Sequence, residues 1–183
     1  GEHRFTEADW TDPARPGIPA YIQSKTLAER AARDWMAREG GEMVFCSINP
    51  SLVLGPVWSA DYSSSLAVVG KLLDGSLRAC PDFGFGVVDV RDLAELHLRA
   101  LQTQGLAGER FIASGRFLKL RQVAEVLRGA LGPQARHVTQ RDVPDWLVRL
   151  AAIFSPTART VVGELGSVRE TDPAHTRAVL GWQ

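Results

Sequence analysis

Met43-Val44-Phe45-Cys46-Ser47-Ile48, running on into Asn49-Pro50-Ser51-Leu52-Val53-Leu54-Gly55-Pro56, is the stretch on which the fold turns. Six uncharged, mostly apolar residues in a row predict a strand covered on both faces, as in a parallel sheet. Pro50 and Pro56 then bracket a loop at the strand's C-terminal end. Upstream, Ala20 to Glu39 predict a long helix with Ala28, Ala31, Ala32, Trp35 and Met36 on one side, and Gly40-Gly41 stop it. A helix leading into a buried strand places the chain in the α/β class.

Working outward, residues 1–19 read as a loop, because Pro13, Pro16 and Pro19 exclude a regular element. Ser63-Ser64-Ser65 is expected as a loop or helix cap before a short helix through Leu66, Val69, Leu72 and Leu73. A second extended piece, Phe85 to Val90, meets Asp92-Leu93-Ala94-Glu95, which has capping-box spacing, and a helix to about Leu101. Arg110 to Ser114 is a further short strand. The clearest helix carries Leu120, Val123, Ala124, Leu127, Ala130 and Leu131 on one stripe and ends at Gly132-Pro133. Pro144 and Pro173 mark helix starts, with Leu147, Leu150, Ala151 and Phe154 sharing a face. There is no internal repeat.

The bulk properties exclude several function classes. A chain of 183 residues supports one sizeable core, or one core with an appendage. Its 21 basic and 21 acidic residues give zero net charge, so no basic footprint for nucleic acid exists. No apolar run approaches the ~18 residues of a membrane span, and the N-terminus has no signal-peptide pattern. Cys46 and Cys80 are unclustered, and His3, His97, His137 and His175 are scattered. Neither a disulfide scaffold nor a metal site is expected, and a reducing, cytoplasmic location is.

The chemistry-bearing pair is Tyr21 and Lys25, four residues apart and therefore on one helical face. An ammonium one turn from a phenol favours the phenolate, whose unaided pKa is about 10. A tyrosine so placed can pass a proton to or from a substrate oxygen. On spacing alone, a surface Tyr–Lys pair is the competing reading.

Tyr21-x-x-Ser24-Lys25 followed by Leu27-Ala28-Glu29-Arg30-Ala31-Ala32 resembles the catalytic helix of the extended short-chain dehydrogenases/reductases. Ile48 to Pro56 is similar to the strand-loop that follows it in the dihydroflavonol-reductase and cinnamoyl-CoA-reductase branch. Val88-Asp89-Val90-Arg91-Asp92-Leu93-Ala94-Glu95-Leu96-His97, Gly108-Glu109-Arg110-Phe111-Ile112 and the closing Leu180-Gly181-Trp182 match that branch in order. The resemblance implies the C-terminal part of a Rossmann-type parallel sheet plus a small, mostly helical substrate-binding region. Residues 1–57 would be the C-terminal half of the dinucleotide-binding domain and 58–84 a substrate-region segment. Residues 85–115 would return to the cofactor domain, and 116–183 would bind substrate.

The implied activity is NADP(H)-dependent reduction of an aldehyde or ketone, with NAD(H) the alternative cofactor. Tyr21 would be the general acid, and Lys25 would hold the nicotinamide ribose hydroxyls. The backbone of Pro50, Ser51, Leu52 and Val53 would face the nicotinamide carboxamide, and Ser65 would approach the cofactor. Sugar-nucleotide epimerases and dehydratases of the same superfamily carry Arg-x-x-Asn-x-Tyr-Gly-Pro at this loop. Here Asn49, Leu52 and Leu54 stand at those positions, and leucine cannot give asparagine's hydrogen bonds, so that alternative is disfavoured. A non-catalytic cofactor-binding regulator is a further alternative, against which the retention of both Tyr21 and Lys25 speaks.

The sequence departs from the family in lacking Gly-x-x-Gly-x-x-Gly and in having only twenty residues before Tyr21, too few for the usual carbonyl-polarising Ser or Thr. The expectation is a C-terminal portion of a longer enzyme, inactive alone and prone to associate through exposed sheet edges. Elsewhere, Asp92 is expected as a helix cap rather than half of a dyad with Asp89. His97 is expected to pack with Leu93 and Leu101. Trp146 and Trp182 are expected in a core, and the acids of Glu7-Ala8-Asp9-Trp10 in solvent.

Overall fold

The structure is a computed structural model that describes residues 4–59 and 63–183; His3 lies outside them. In chain order the elements are α1 (Ala20–Glu39), β1 (Ser47–Pro50), β2 (Leu52–Leu54), α2 (Ser64–Leu73), β3 (Gly84–Asp89), α3 (Val90–Gln102), β4 (Arg110–Ala113) and β5 (Phe117–Lys119). Then come α4 (Leu120–Leu131), a 3₁₀ turn (Gly132–Ala135), α5 (Asp145–Ala151), α6 (Pro156–Val162) and α7 (Ala174–Leu180). The α/β class is as expected. The chain divides into two compact units, one of residues 1–50, 91–114 and 171–183, the other of 51–90 and 115–170.

In the first unit β1 and β4 run parallel, with Ser47 opposite Arg110 and Pro50 opposite Ala113. Leu96, Leu106, Phe111, Ala113, Leu180 and Trp182 are buried. The Trp182 indole N–H donates to the Asp92 carbonyl at 3.0 Å, tying the chain's last turn to α3. Pro19 precedes α1 in extended conformation (φ −58°, ψ 140°), and Gly40 ends it with its N–H on the Met36 carbonyl.

In the second unit β2, β3 and β5 form a three-stranded sheet in that order, β2–β3 parallel and β3–β5 antiparallel. Leu72, Cys80, Leu120, Val123, Ala124, Ala135 and Val138 form one buried cluster, with Val68, Leu77, Phe83, Phe85 and Leu127 packed against it. The stripe read on residues 120–131 is therefore the face that α4 buries, apart from Ala130 and Leu131 at its exposed end. At its start the Gln122 side-chain oxygen accepts the Lys119 N–H at 2.8 Å. Gly55 follows β2 at φ +139°, where a Cβ would meet Val90 Cγ1 at 2.8 Å, so a side chain is excluded there on both counts.

Several expectations are corrected. The strand predicted over Met43–Ile48 begins only at Ser47, and Met43 and Val44 are exposed. Its partner sets the limit, because β4 starts at Arg110 and upstream of Ser47 one bond, Gly108 N–H to the Phe45 carbonyl, joins the two segments. The predicted loop Asn49–Pro56 contains β2, whose parallel pairing with Val87–Asp89 no local pattern announces. On α1 the inward stripe is Ile22, Thr26, Glu29, Arg33 and Met36; Ala28, Ala31 and Trp35 are exposed.

Asp92 is the third residue of α3 rather than its cap. His97 is exposed, its Nδ1 2.7 Å from the Leu93 carbonyl, and Leu96 is the buried residue of that helix. Trp146 is exposed, unlike Trp182, and on α5 only Val148 is buried while Leu147, Leu150 and Phe154 lie in solvent. Ser63 caps α2 by position but gives no side-chain bond, and Ser65 lies inside the helix.

Candidate active site

Tyr21 and Lys25 stand in the first two turns of α1, where i and i+4 share a face. The Lys25 ammonium lies 5.5 Å from the Tyr21 ring centroid, within cation–π range. Tyr21 is 72% exposed, so its hydroxyl is open to a reactant. No hydrogen bond or ion pair occupies the Lys25 ammonium among the described residues, which leaves its three N–H donors available. Ser24 donates from Oγ to the Tyr21 carbonyl at 2.7 Å, a bond that turns its hydroxyl back onto the helix.

One turn beyond Lys25 the helix is pinned by a half-buried polar cluster. Glu29 accepts from Ser47 Oγ at 2.5 Å and from Arg110 Nε at 2.9 Å, and lies 3.5 Å from Arg33. Burial alone would raise the Glu29 pKa, but the hydrogen bonds from Arg110 and Ser47 and the Arg110 charge win and hold it below the ordinary value. Arg33 also donates to the carbonyls of Gly108 and Glu109 and to Ser47 Oγ. Arg110 reaches further, donating to the carbonyls of Glu7 and Asp9 while its guanidinium lies 4.0 Å from the Trp10 ring. Arg30 and Arg33 lie over the same ring at 5.7 and 5.5 Å.

The acids of the N-terminal segment, expected in solvent, are engaged. Glu7 Oε1 accepts the Thr176 hydroxyl at 2.9 Å, and Asp9 Oδ2 accepts the Thr6 N–H at 2.7 Å. The fully buried Thr176 hydroxyl accepts the Ile112 N–H at 2.9 Å, and the Ile112 carbonyl, also 2.9 Å away, shares its single proton with Glu7.

Of the remaining sequence-derived site residues, Pro50 ends β1 in the first unit, while Ser51, Leu52, Val53 and Ser65 belong to the second. Leu52 and Val53 pair with Val87 and Val88. In a parallel ladder alternate residues turn their backbone groups away from the partner, and β2 is an edge of its sheet, so part of its backbone is left to bond elsewhere. Ser51 and Ser65 are half-buried. Glu29, Arg33, Arg110 and Trp10 were missed as a group. Their one local signal was Glu29–Arg33 at i, i+4 inside an alanine-rich run, which spacing alone does not turn inward.

Both thiols are free, and burial pushes each above the ordinary cysteine value. No group of three or more His, Cys, Asp or Glu is placed to hold a metal ion among the described residues, and no described helix is long and apolar enough to cross a membrane.

No family model matches the chain. Cinnamoyl-CoA reductase of Medicago truncatula is 36% identical over 127 residues, 68% of this chain and 35% of that protein. An uncharacterised oxidoreductase of Saccharomyces cerevisiae is 30% identical over all of this chain and 51% of its own length. The yeast methylglyoxal/isovaleraldehyde reductase solved with NADPH superposes with a TM-score of 0.67 at 23% identity, covering 100% of this chain and 53% of that one. The chain belongs to the extended short-chain dehydrogenase/reductase family. Its relatives include dihydroflavonol and cinnamoyl-CoA reductases, and its fold is Rossmann-type. It spans about half, or less, of the length of the relatives it matches.

Proposed function

We propose that this chain carries the proton-transfer part of an NADP(H)-dependent reductase of small aldehydes or ketones, NAD(H) being the alternative cofactor. The observation that carries it is the exposed Tyr21 hydroxyl with an unoccupied Lys25 ammonium beside its ring. The bound nicotinamide would supply the hydride. Tyr21 donates its phenolic proton to the carbonyl oxygen as negative charge develops there, and Lys25 stabilises the resulting phenolate. The free ammonium donors of Lys25 suit the ribose hydroxyls, and the edge-strand backbone of Leu52 and Val53 suits a carboxamide, with Pro50 and Ser51 assigned there on the resemblance alone. Ser65 is assigned to the cofactor on the resemblance alone. Reductase names among the relatives, one of them solved with NADPH, support the substrate and cofactor classes.

The test is aldehyde-dependent NADPH oxidation by the protein that contains this chain. Tyr21→Phe is expected to lower kcat/KM by roughly 10²–10⁴ with NADPH affinity within a few-fold. Lys25→Ala is expected to weaken NADPH binding as well. Undamaged turnover in Tyr21→Phe removes Tyr21 as the acid. The 183 residues by themselves, having no Gly-x-x-Gly-x-x-Gly, are expected not to turn over and to self-associate. Micromolar NADPH binding to this polypeptide by titration calorimetry, or a monomer in sedimentation, would contradict those two expectations respectively.

A further inference from the structure

We propose that the second unit carries a binding site for a small apolar molecule bearing one carboxylate, independent of the reductase reading. A cavity of about 320 Å³ lies between α2, α6 and the segment from Leu77 to Phe83. That volume suits a molecule of one or two rings, and it is at the lower end of ordinary small-molecule sites. Leu120, 1% exposed, makes the floor, and Val68, Leu77, Phe83 and Val161 make the walls.

Backbone hydrogen bonds hold these walls in place. The Leu120 N–H bonds to the Phe83 carbonyl at 3.0 Å, joining floor to wall. Gly166 N–H reaches the Asp82 carbonyl at 2.7 Å, which fixes the chain beyond α6 to the Phe83 segment, and Leu77 N–H bonds to the Lys71 carbonyl at 3.0 Å. A cavity framed this way is formed before its ligand arrives, so little ordering opposes binding.

The charge of the ligand follows from the rim. Glu164 lines the cavity but is matched by Arg169 at 3.2 Å, and the neighbouring Asp82 is matched by Lys119 at 2.7 Å. Lys71, also on the lining, has no ion-pair partner among the described residues; Asp74, three residues on, feels its charge only at a distance. An apolar floor under one unmatched ammonium selects an apolar body with an anionic end. The hydrocarbon enters the hollow, and the carboxylate stays at the mouth beside Lys71.

The probe is 2-naphthoate, compared by titration calorimetry with uncharged 2-naphthalenemethanol on the full 183-residue chain. The acid is expected to bind one per chain, about tenfold tighter than the alcohol. Lys71→Met, on an exposed position, is expected to erase that preference and leave the alcohol unchanged. Val161→Trp, filling the hollow, is expected to weaken both at least tenfold, and Val68→Phe replaces it if circular dichroism shows that it does not fold. Equal affinities for acid and alcohol, an unchanged preference in Lys71→Met, no saturable binding below millimolar, or binding indifferent to the filled cavity would each overturn the proposal.

Discussion

The two units are held together in different ways. The second is organised by one apolar cluster, with Leu72 and Leu120 sealed inside it. The first buries apolar residues as well, but the helix bearing Tyr21 and Lys25 is fastened by Glu29, Arg33, Ser47 and Arg110. Apolar packing is non-directional and tolerates small slides, whereas charge-assisted bonds fix distance and orientation together. A helix that presents a proton donor gains from the second kind of attachment, because reacting atoms must meet within a few tenths of an ångström.

That contrast can be broken most forcefully in the second unit. Leu120→Ala leaves a hole in a packed cluster and is expected to cost about 3–4 kcal/mol in urea denaturation. Glu29→Gln comes next, at about 2–3 kcal/mol near neutral pH, because Arg110 and Arg33 lose their counter-charge. The sign with pH is fixed by the lowered Glu29 pKa. Its stabilisation is complete above the ordinary value of 4.5 and disappears as pH falls through the lower folded value. Glu29→Gln should therefore show a shallower acid loss than the parent; equal slopes would mean that the cluster contributes nothing. Trp10→Ala, which removes the ring 4.0 Å from Arg110, is expected to cost about 1 kcal/mol. The smallest effect belongs to the outward alanines. Ala28→Lys should change stability by less than about 0.5 kcal/mol, and a loss of several kcal/mol would show that this face is covered after all.

The same contrast accounts for what could be read in advance. Hydrophobic periodicity found α4 and its buried stripe because apolar residues there do the packing. The span of α1 was equally plain from Pro19 and Gly40, but most of its inward face was not, since alanines are neutral about burial and the inward positions carry Glu29 and Arg33. Strand boundaries failed for a further reason: a strand exists only where a partner lies beside it. Nothing between Met43 and Pro56 reveals that β4 begins at Arg110 or that β3 waits for Leu52–Leu54. At the candidate site, the Tyr21–Lys25 pair was legible from local spacing. The Glu29–Arg110 attachment was not, since its partners lie 81 residues apart.

Arg110 has a consequence for the chain's first twenty residues. By donating at once to Glu29 of α1 and to two carbonyls of the N-terminal segment, it converts a proline-broken stretch into a splint laid along α1 and β4. Trimming that stretch up to Trp10 would strip the guanidinium of its aromatic cover and two carbonyl acceptors. The loosening would be felt at the far end of the helix, where the tyrosine stands.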